Sequence, residues 1–233
     1  KNLTGITTSY RVRFNTMTPA GTVGTAATIY STEETITQGL HPSLVVLPGG
    51  RLMLYHYLED LTQETVQIQA YYSDDDGTTW TLATSAALPE GIDVSGSPGS
   101  GAAGYDLDTR PAAKMRVAYS GGQMLMLICF RANDTTGGSY QDGFFQYASS
   151  DLGFNWDLVE TWGLTITGTQ GEIVPSQNGF NVFFLSLDGG NEVVKRRNLA
   201  SAFIPLSSAS DLLGPGALTR GNWDAGLFAG RTW

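Results

Sequence analysis

The sequence predicts an all-β chain built from repeated units of four antiparallel strands. Short runs of β-type residues alternate with turn residues, and the 233-residue chain contains 29 glycines. No long stretch has the apolar periodicity of a helix. An eight-residue pattern, Ser-x-Asp-x-Gly-x-Thr-Trp, occupies Ser73–Trp80 and returns at Ser149–Trp156, where Asn155 replaces the threonine.

Each position of this pattern has a physical role in a hairpin turn. Glycine adopts positive φ without steric cost, and the Ser and Asp side chains can bond to nearby backbone N–H groups. The tryptophan leaves the turn as an apolar anchor whose N–H needs an acceptor. The positions that define the pattern are Ser73, Asp75, Gly77, Thr79 and Trp80 in the first copy and Ser149, Asp151, Gly153, Asn155 and Trp156 in the second.

The chain is expected to divide into an N-terminal segment, residues 1–37, and a domain over residues 38–233. The N-terminal segment holds one predicted strand, Tyr10–Phe14, and a Thr/Gly/Ala-rich connector from about Thr16 to Thr28. We interpret it as an edge strand or an inter-domain segment. The domain is predicted to contain units at about residues 38–88, 112–166 and 170–207.

Units one and two share one internal order. Each has a hairpin around a Gly-Gly turn, at Gly49–Gly50 or Gly121–Gly122, then a third strand, the eight-residue pattern and a fourth strand. The fourth strand of unit one is expected from Trp80 to about Ser85. Unit three turns at Asn178–Gly179, lacks the pattern, and has its fourth strand predicted at Ala202–Leu206.

Four strands in a fixed order per unit are typical of a propeller blade. Three blades do not close a ring, and an open ring leaves sheet edges unpaired. We therefore expect an incomplete ring or part of a larger propeller, completed by more polypeptide or by other copies in a homo-oligomeric assembly.

Composition narrows the range of partners. The formal charge is −9, and no basic footprint for a nucleic acid is evident in the sequence. No apolar stretch reaches membrane-spanning length.

Cys129 is the single cysteine and is predicted to be a buried strand thiol. His41 and His56 lack the further ligands that zinc requires, and the Asp74–Asp76 run lacks the spacing of a calcium loop. No metal or cofactor is predicted.

Strand parity locates a candidate ligand face. The Gly-Gly turns and the two patterned turns should share one end of the blades, and long polar loops should share the other, as binding loops on a rigid scaffold often do. The longest, Pro89–Pro111, is interpreted either as part of a sugar-binding cleft or as a solvated connector. The candidate ligand residues are Glu59, Asp60, Tyr105, Asp106, Asp108, Arg110, Arg131, Asp134, Tyr140, Asp142 and Asp188.

The two copies of the pattern resemble the Asp box, or bacterial neuraminidase repeat, of sialidase-like β-propellers. In that family the box is a structural turn away from the catalytic centre. The resemblance implies arginines that grip a carboxylate, a tyrosine nucleophile partnered by a glutamate, and an acidic general acid. Glu172 resembles the glutamate, Asp60 lies in a suitable loop for the acid, and Arg110 and Arg131 are available, but Leu40 stands where the first arginine belongs.

Three functions remain open on this basis. The first is a non-catalytic propeller for glycan recognition or assembly with other protein chains, within a larger extracellular or virion-associated protein such as a phage tail or capsid-surface component. The second is an exo-sialidase-type glycoside hydrolase, which the family resemblance alone implies. The third is a purely structural subunit that pairs with neighbouring chains.

Overall fold

The computed structural model describes residues 10–32, 42–60, 65–83, 105–107, 114–134, 140–164, 171–188 and 191–209. Apart from one 3-10 turn at Leu206–Ser208, every regular element in these ranges is a β-strand. In chain order the strands are β1 (Tyr10–Phe14), β2 (Ala27–Thr32), β3 (Ser43–Val46), β4 (Leu52–Asp60), β5 (Thr65–Ser73), β6 (Thr81–Leu82), β7 (Tyr105–Leu107), β8 (Lys114–Ser120), β9 (Gln123–Asp134), β10 (Tyr140–Ser149), β11 (Asp157–Leu164), β12 (Gly171–Ser176), β13 (Gly179–Asp188) and β14 (Asn191–Leu199).

The N-terminal segment contains two strands where the sequence predicted one. β1 pairs antiparallel with β2, and the register shifts between Val12 and Arg13. The prediction missed β2 because its first residues, Ala27 and Thr28, were assigned to the connector, which left Ile29 and Tyr30 as too short a β-type run to predict a strand. The strand forms because its backbone pairs with β1, a contact that the residues of β2 alone do not indicate.

The first two large sheets follow the predicted order. The first sheet is the antiparallel series β3-β4-β5-β6, and the second contains β8, β9, β10 and β11 in the same succession. β6 is shorter than predicted, because it covers only Thr81–Leu82. Residues after 83 on that strand lie outside the described ranges.

The third sheet has three strands, β12-β13-β14, and the fourth strand predicted at Ala202–Leu206 is wrong. This segment instead forms a turn followed by the 3-10 turn. The physical reason lies in the second sheet, where Gln146 donates to the carbonyl oxygens of Ala202 (2.9 Å) and Ile204 (2.8 Å) and accepts from the N–H of Leu206 (2.8 Å). These backbone groups are the ones a fourth strand would need for sheet pairing.

The three sheets stack face to face with their first strands side by side. The hydroxyl of Ser43 on β3 accepts from the N–H of Val117 on β8 (3.0 Å), and the hydroxyl of Ser120 on β8 donates to the carbonyl of Ser176 on β12 (2.7 Å). Successive antiparallel sheets joined at their first strands have the arrangement of successive propeller blades.

A separate apolar core fills each of the two gaps between sheets. The core between the first and second sheets includes Met53, Tyr55, Met124, Met126 and Trp156. The core between the second and third sheets includes Leu125, Leu127, Phe180, Val182 and Phe184. Opposite faces of the second sheet therefore serve the two cores, since alternate residues of a strand point to opposite faces.

The strand register defines two ends of the sheets. In the first sheet, Ser73 pairs with Leu52 beside the Gly-Gly hairpin, whereas Asp60 pairs with Thr65 at the opposite end. The second sheet repeats this, since Ser149 pairs with Met124. We call these the turn end and the loop end. The prediction that both patterned turns lie with the Gly-Gly turns is confirmed. The strand ends that flank the connections after β4, β9 and β13 lie at the opposite end, as predicted, and residues 84–104 lie outside the described ranges.

Candidate functional site

The first patterned turn is closed by its own side chains. The hydroxyl of Ser73 donates to Asp75 Oδ1 (2.8 Å) and accepts from the N–H of Gly77 (2.8 Å). Asp75 in turn accepts from the N–H (2.8 Å) and the hydroxyl (2.7 Å) of Thr79. The indole N–H of Trp80 donates to the carbonyl of Gly77 (3.0 Å). Every polar position of the pattern is therefore used within the turn.

The second turn repeats this geometry. Ser149 donates to Asp151 Oδ1 (2.7 Å) and accepts from the N–H of Gly153 (2.9 Å), and Asp151 accepts from the N–H of Asn155 (2.9 Å). The indole of Trp156 donates to the carbonyl of Gly153 (3.0 Å). Both turns also have two successive positive φ angles, 57° and 84° in the first and 62° and 85° in the second. One backbone shape thus serves both sequences.

Hydrogen bonding stabilises the charged form of both turn carboxylates. The pKa of Asp75 lies below its ordinary value because the backbone N–H of Thr79, the Thr79 hydroxyl and the Ser73 hydroxyl all donate to it. At Asp151, desolvation acts to raise the pKa, but donors from Asn155, Ser149 and Phe154 outweigh it and the pKa is lowered. Both carboxylates are therefore occupied in closing their turns.

Aromatic side chains from the preceding strands pack onto the two turns. Phe14 lies edge-on to Trp80 with ring centroids 5.3 Å apart, and a Cβ on Gly77 would lie 2.1 Å from the Phe14 ring. In the second turn, a Cβ on Gly153 would lie 2.0 Å from the Tyr55 hydroxyl. The turn end is thus built for packing between successive units.

At the loop end, three strands of the second sheet bring predicted ligand residues to adjacent positions. β7 pairs with the far part of β9, so that Tyr105 lies opposite Asp134 and Asp106 lies opposite Asn133. β10 pairs with the other edge of β9, where Tyr140 also lies opposite Asn133. A further pair on these two strands joins Asp142 to Arg131. Six predicted positions therefore share one end of one sheet, and Asn133 joins them.

The structure corrects the prediction that these residues lie on loops. The strands extend further than their apolar runs, because backbone pairing continues whether or not the side chains are apolar. The segment 89–111 also contains β7, which was not predicted. The predicted loop residues that lie on strands are Glu59, Asp60, Tyr105, Asp106, Arg131, Asp134, Tyr140, Asp142 and Asp188.

The remaining predicted ligand residues are not part of this group. Glu59 and Asp60 end β4 in the first sheet, and Asp188 ends β13 in the third, opposite Asn191. Asp108 and Arg110 lie outside the described residues. The loop end of the second sheet is therefore the densest set of candidate positions in the described part of the chain.

Glu172, the candidate catalytic glutamate, is engaged in an ion pair. Its Oε2 accepts from Arg116 Nε at 2.7 Å, and Arg116 Nη1 donates to the carbonyl of Met115 (3.0 Å). Both side chains are half-buried between β8 and β12. Sequence reasoning missed Arg116, although a signal existed: Arg116 and Glu172 each stand four residues before the serine that ends the strand. Opposite charges at equivalent positions of successive units indicate a bridge between them.

No metal site is evident in the described ranges, where no group of three His, Cys, Asp or Glu residues is placed to hold an ion. His56 is buried and stacks on Tyr71 with ring centroids 5.6 Å apart, and His41 lies outside those ranges. Among the described residues there is no helix with the length and apolarity needed to cross a membrane.

Several glycoside hydrolases are among the solved structures to which this chain is similar. They include the α-L-arabinanase of Penicillium chrysogenum with arabinobiose (16% identity, TM-score 0.47) and the GH93 α-L-arabinofuranosidase of Fusarium graminearum with arabinobiose (14%, 0.45), each covering 80% of this chain and 54% of its own. The GH32 β-fructofuranosidase of Bombyx mori is 12% identical with a TM-score of 0.49, over 78% of this chain and 36% of its own. The chain thus spans about half or less of their lengths. No family model and no curated protein matches the chain.

Proposed function

We propose that this chain is a non-catalytic, sialidase-like propeller segment that binds glycans through the loop end of its second sheet. The observation that carries the proposal is the register of β7, β9 and β10, which sets Asp106, Tyr140 and Asp142 on one face of the sheet at its loop end. Tyr105 lies beside them at the same end, on the opposite face. Tyrosine offers a planar surface and a hydroxyl, and carboxylates accept from sugar hydroxyls. The segment would belong to a larger extracellular or virion-associated assembly.

Two features favour binding over catalysis. Glu172 forms an ion pair with Arg116 between two sheets, so its position is explained by a structural role. Leu40 occupies the place of the arginine that would orient a carboxylate in the resembled family. The two Asp-box-like turns contribute rigidity, because their polar groups bond internally and their tryptophans anchor the hairpins.

A glycan array with the purified chain tests this proposal. Asp106→Ala and Tyr140→Ala should each abolish or strongly weaken any signal that the wild-type chain gives. Thr78→Ala, an exposed position in the first turn, is the matched control and should bind as wild type. The proposal is refuted if Asp106→Ala and Tyr140→Ala retain binding and turn-end variants lose it. That result would place the ligand at the turn end.

A further inference from the structure

The gap between the second and third sheets extends past its apolar core toward the loop end. Across this gap Phe144 on β10 lies edge-on to Phe184 on β13, with ring centroids 5.9 Å apart, and both rings are buried. From this contact each strand extends four more residues toward the loop end, β10 to Tyr140 and β13 to Asp188. The pairing of β9 with β10 and of β13 with β14 has no register shift at this end, so alternate residues remain on the faces that border the gap.

The positions that follow the two rings on these faces are polar on both strands. Asp106 on β7 belongs to the same face of the second sheet, because it pairs with the same β9 residue as Tyr140 does. The set comprises Asp106, Tyr140 and Asp142 on the second sheet and Ser186 and Asp188 on the third. Two rows of hydrogen-bonding residues therefore border the same gap, one on each sheet.

We infer that the glycan site is a two-sided cleft between the second and third sheets, with Asp188 on its third-sheet side, and that it takes uncharged sugars. The inference rests on the proposed function and adds to it a second side of the site and a class of ligand. Packed sheets lie about 10 Å apart, so residues of both rows border one sugar placed in the gap. Acceptors and donors on opposite sides suit the hydroxyls of a sugar ring.

The charges on the described parts of these two faces favour an uncharged ligand. Asp142 pairs across the strands with Arg131, and opposite charges at such positions stabilise each other. Asp106 and Asp188 lie nearer the loop end. Lysines on the same faces stand four residues away from these two acids, or ~13 Å at about 3.3 Å per residue, beyond the screening length of about 8 Å in physiological salt; they are Lys114 and Lys195. A carboxylate on the sugar would therefore meet like charges, which is unfavourable.

A glycan array that presents neutral oligosaccharides beside the same chains capped with sialic acid tests the inference. Asp188→Ala should abolish or strongly weaken the wild-type signal, as Asp106→Ala should. Glu192→Ala is the matched control and should bind as wild type, because Glu192 is an acid at the same end of the third sheet on the opposite face, paired with Leu187. Sialylation should weaken the signal at least about tenfold.

The outcomes separate this inference from the proposed function. If Asp106→Ala and Tyr140→Ala lose binding but Asp188→Ala binds as wild type, the two-sided cleft is refuted and the proposed function stands. Stronger binding of the sialylated chains would refute the uncharged ligand. Binding that survives Asp106→Ala and Tyr140→Ala, or a wild-type chain that binds no glycan, would overturn both the proposed function and the inference.

Cross-linking tests the cleft without a ligand. In a Cys129→Ser background, a short bismaleimide should join Tyr140→Cys to Asp188→Cys within one chain, because packed sheets lie about 10 Å apart. The same reagent should join Tyr140→Cys to Glu192→Cys much more slowly, since Glu192 lies on the opposite face of the third sheet. Equal rates for the two double variants would overturn the two-sided cleft.

Discussion

Tyr55 of the first sheet packs edge-on against Trp156 of the second patterned turn, with ring centroids 5.7 Å apart and planes at 85°. The Tyr55 hydroxyl also lies 3.5 Å from the carbonyl of Gly153, to which it donates. Burial raises the pKa of this phenol well above its ordinary value. Phe14 and Trp80 form the corresponding contact one unit earlier. Each patterned turn is thus a site where one unit holds the next.

The close approach at Gly153 predicts an unusually costly glycine substitution. Gly153→Ala should lose roughly 3 kcal/mol of unfolding free energy, from positive φ and overpacking against Tyr55. Gly121→Ala is the matched control, since its φ is positive (59°) but nothing lies within 4 Å of an added Cβ. It should lose about 1–2 kcal/mol. Equal losses of unfolding free energy in denaturant titrations would contradict the packing argument. Adding Tyr55→Phe to Gly153→Ala should restore part of the lost stability, because it removes the hydroxyl nearest the added Cβ.

The two turn tryptophans should differ in their contribution to stability. Trp156 is 8% exposed and lies in the core between the first and second sheets, so Trp156→Ala should cost roughly 3–5 kcal/mol. Trp80 is only partly buried, and Trp80→Ala should cost less. Denaturant titrations of both variants measure the difference. A packing role for the turns is excluded if both lie within about half a kcal/mol of wild type, a surface-level effect.

Gln146 should be essential for the fold of the segment after β14. Gln146→Leu leaves three backbone groups of residues 202–206 without the bonds that Gln146 makes. The expected loss is roughly 3 kcal/mol or more, since each buried unpaired group costs about 1–3 kcal/mol. Gln123→Leu is the comparison, because Gln123 is half-buried and only accepts, from the Ser201 hydroxyl and the Ala202 N–H (2.9 Å each). A smaller loss for Gln146→Leu than for Gln123→Leu would refute this ranking.

The turn carboxylates should make the protein sensitive to acid. Because the folded-state pKa values of Asp75 and Asp151 are lowered, their contribution is fully present above the unfolded-state pKa of about 3.9. It is lost as the pH falls through the lower folded-state values. An Asp75→Asn/Asp151→Asn variant should be less stable at neutral pH but lose less stability on acidification. Thermal melts from about pH 6 to pH 3 compare the two, and parallel curves would contradict the linkage.

The purified chain should release no sialic acid from a fluorogenic substrate. Leu40 stands where the resembled family has the arginine that orients the substrate carboxylate. Glu172, the candidate catalytic glutamate, is paired with Arg116. Turnover that disappears in Glu172→Gln and persists in Asp75→Asn would overturn the non-catalytic proposal. The Asp75→Asn control separates a catalytic effect from a general loss of structure.

Features that depend on neighbouring residues were predictable from the sequence alone. The two patterned turns use bonds between residues no more than four positions apart, such as Asp75 to Thr79, so their residue types specify their shape. Strand alternation and hairpin turns likewise specified the order of strands in the first two sheets and which ends the turns share.

Features that depend on distant residues required the tertiary structure. The loss of the fourth strand in the third sheet follows from Gln146, about 60 positions away, and the Arg116–Glu172 pair joins residues 56 positions apart. The candidate ligand positions on β7, β9 and β10 likewise become neighbours only through strand pairing, which joins β7 to β9. The residues beside each partner do not specify such contacts, because they form only once the sheets have packed. Even the equivalent positions of Arg116 and Glu172 indicate a bridge only when the two units are known to be neighbours.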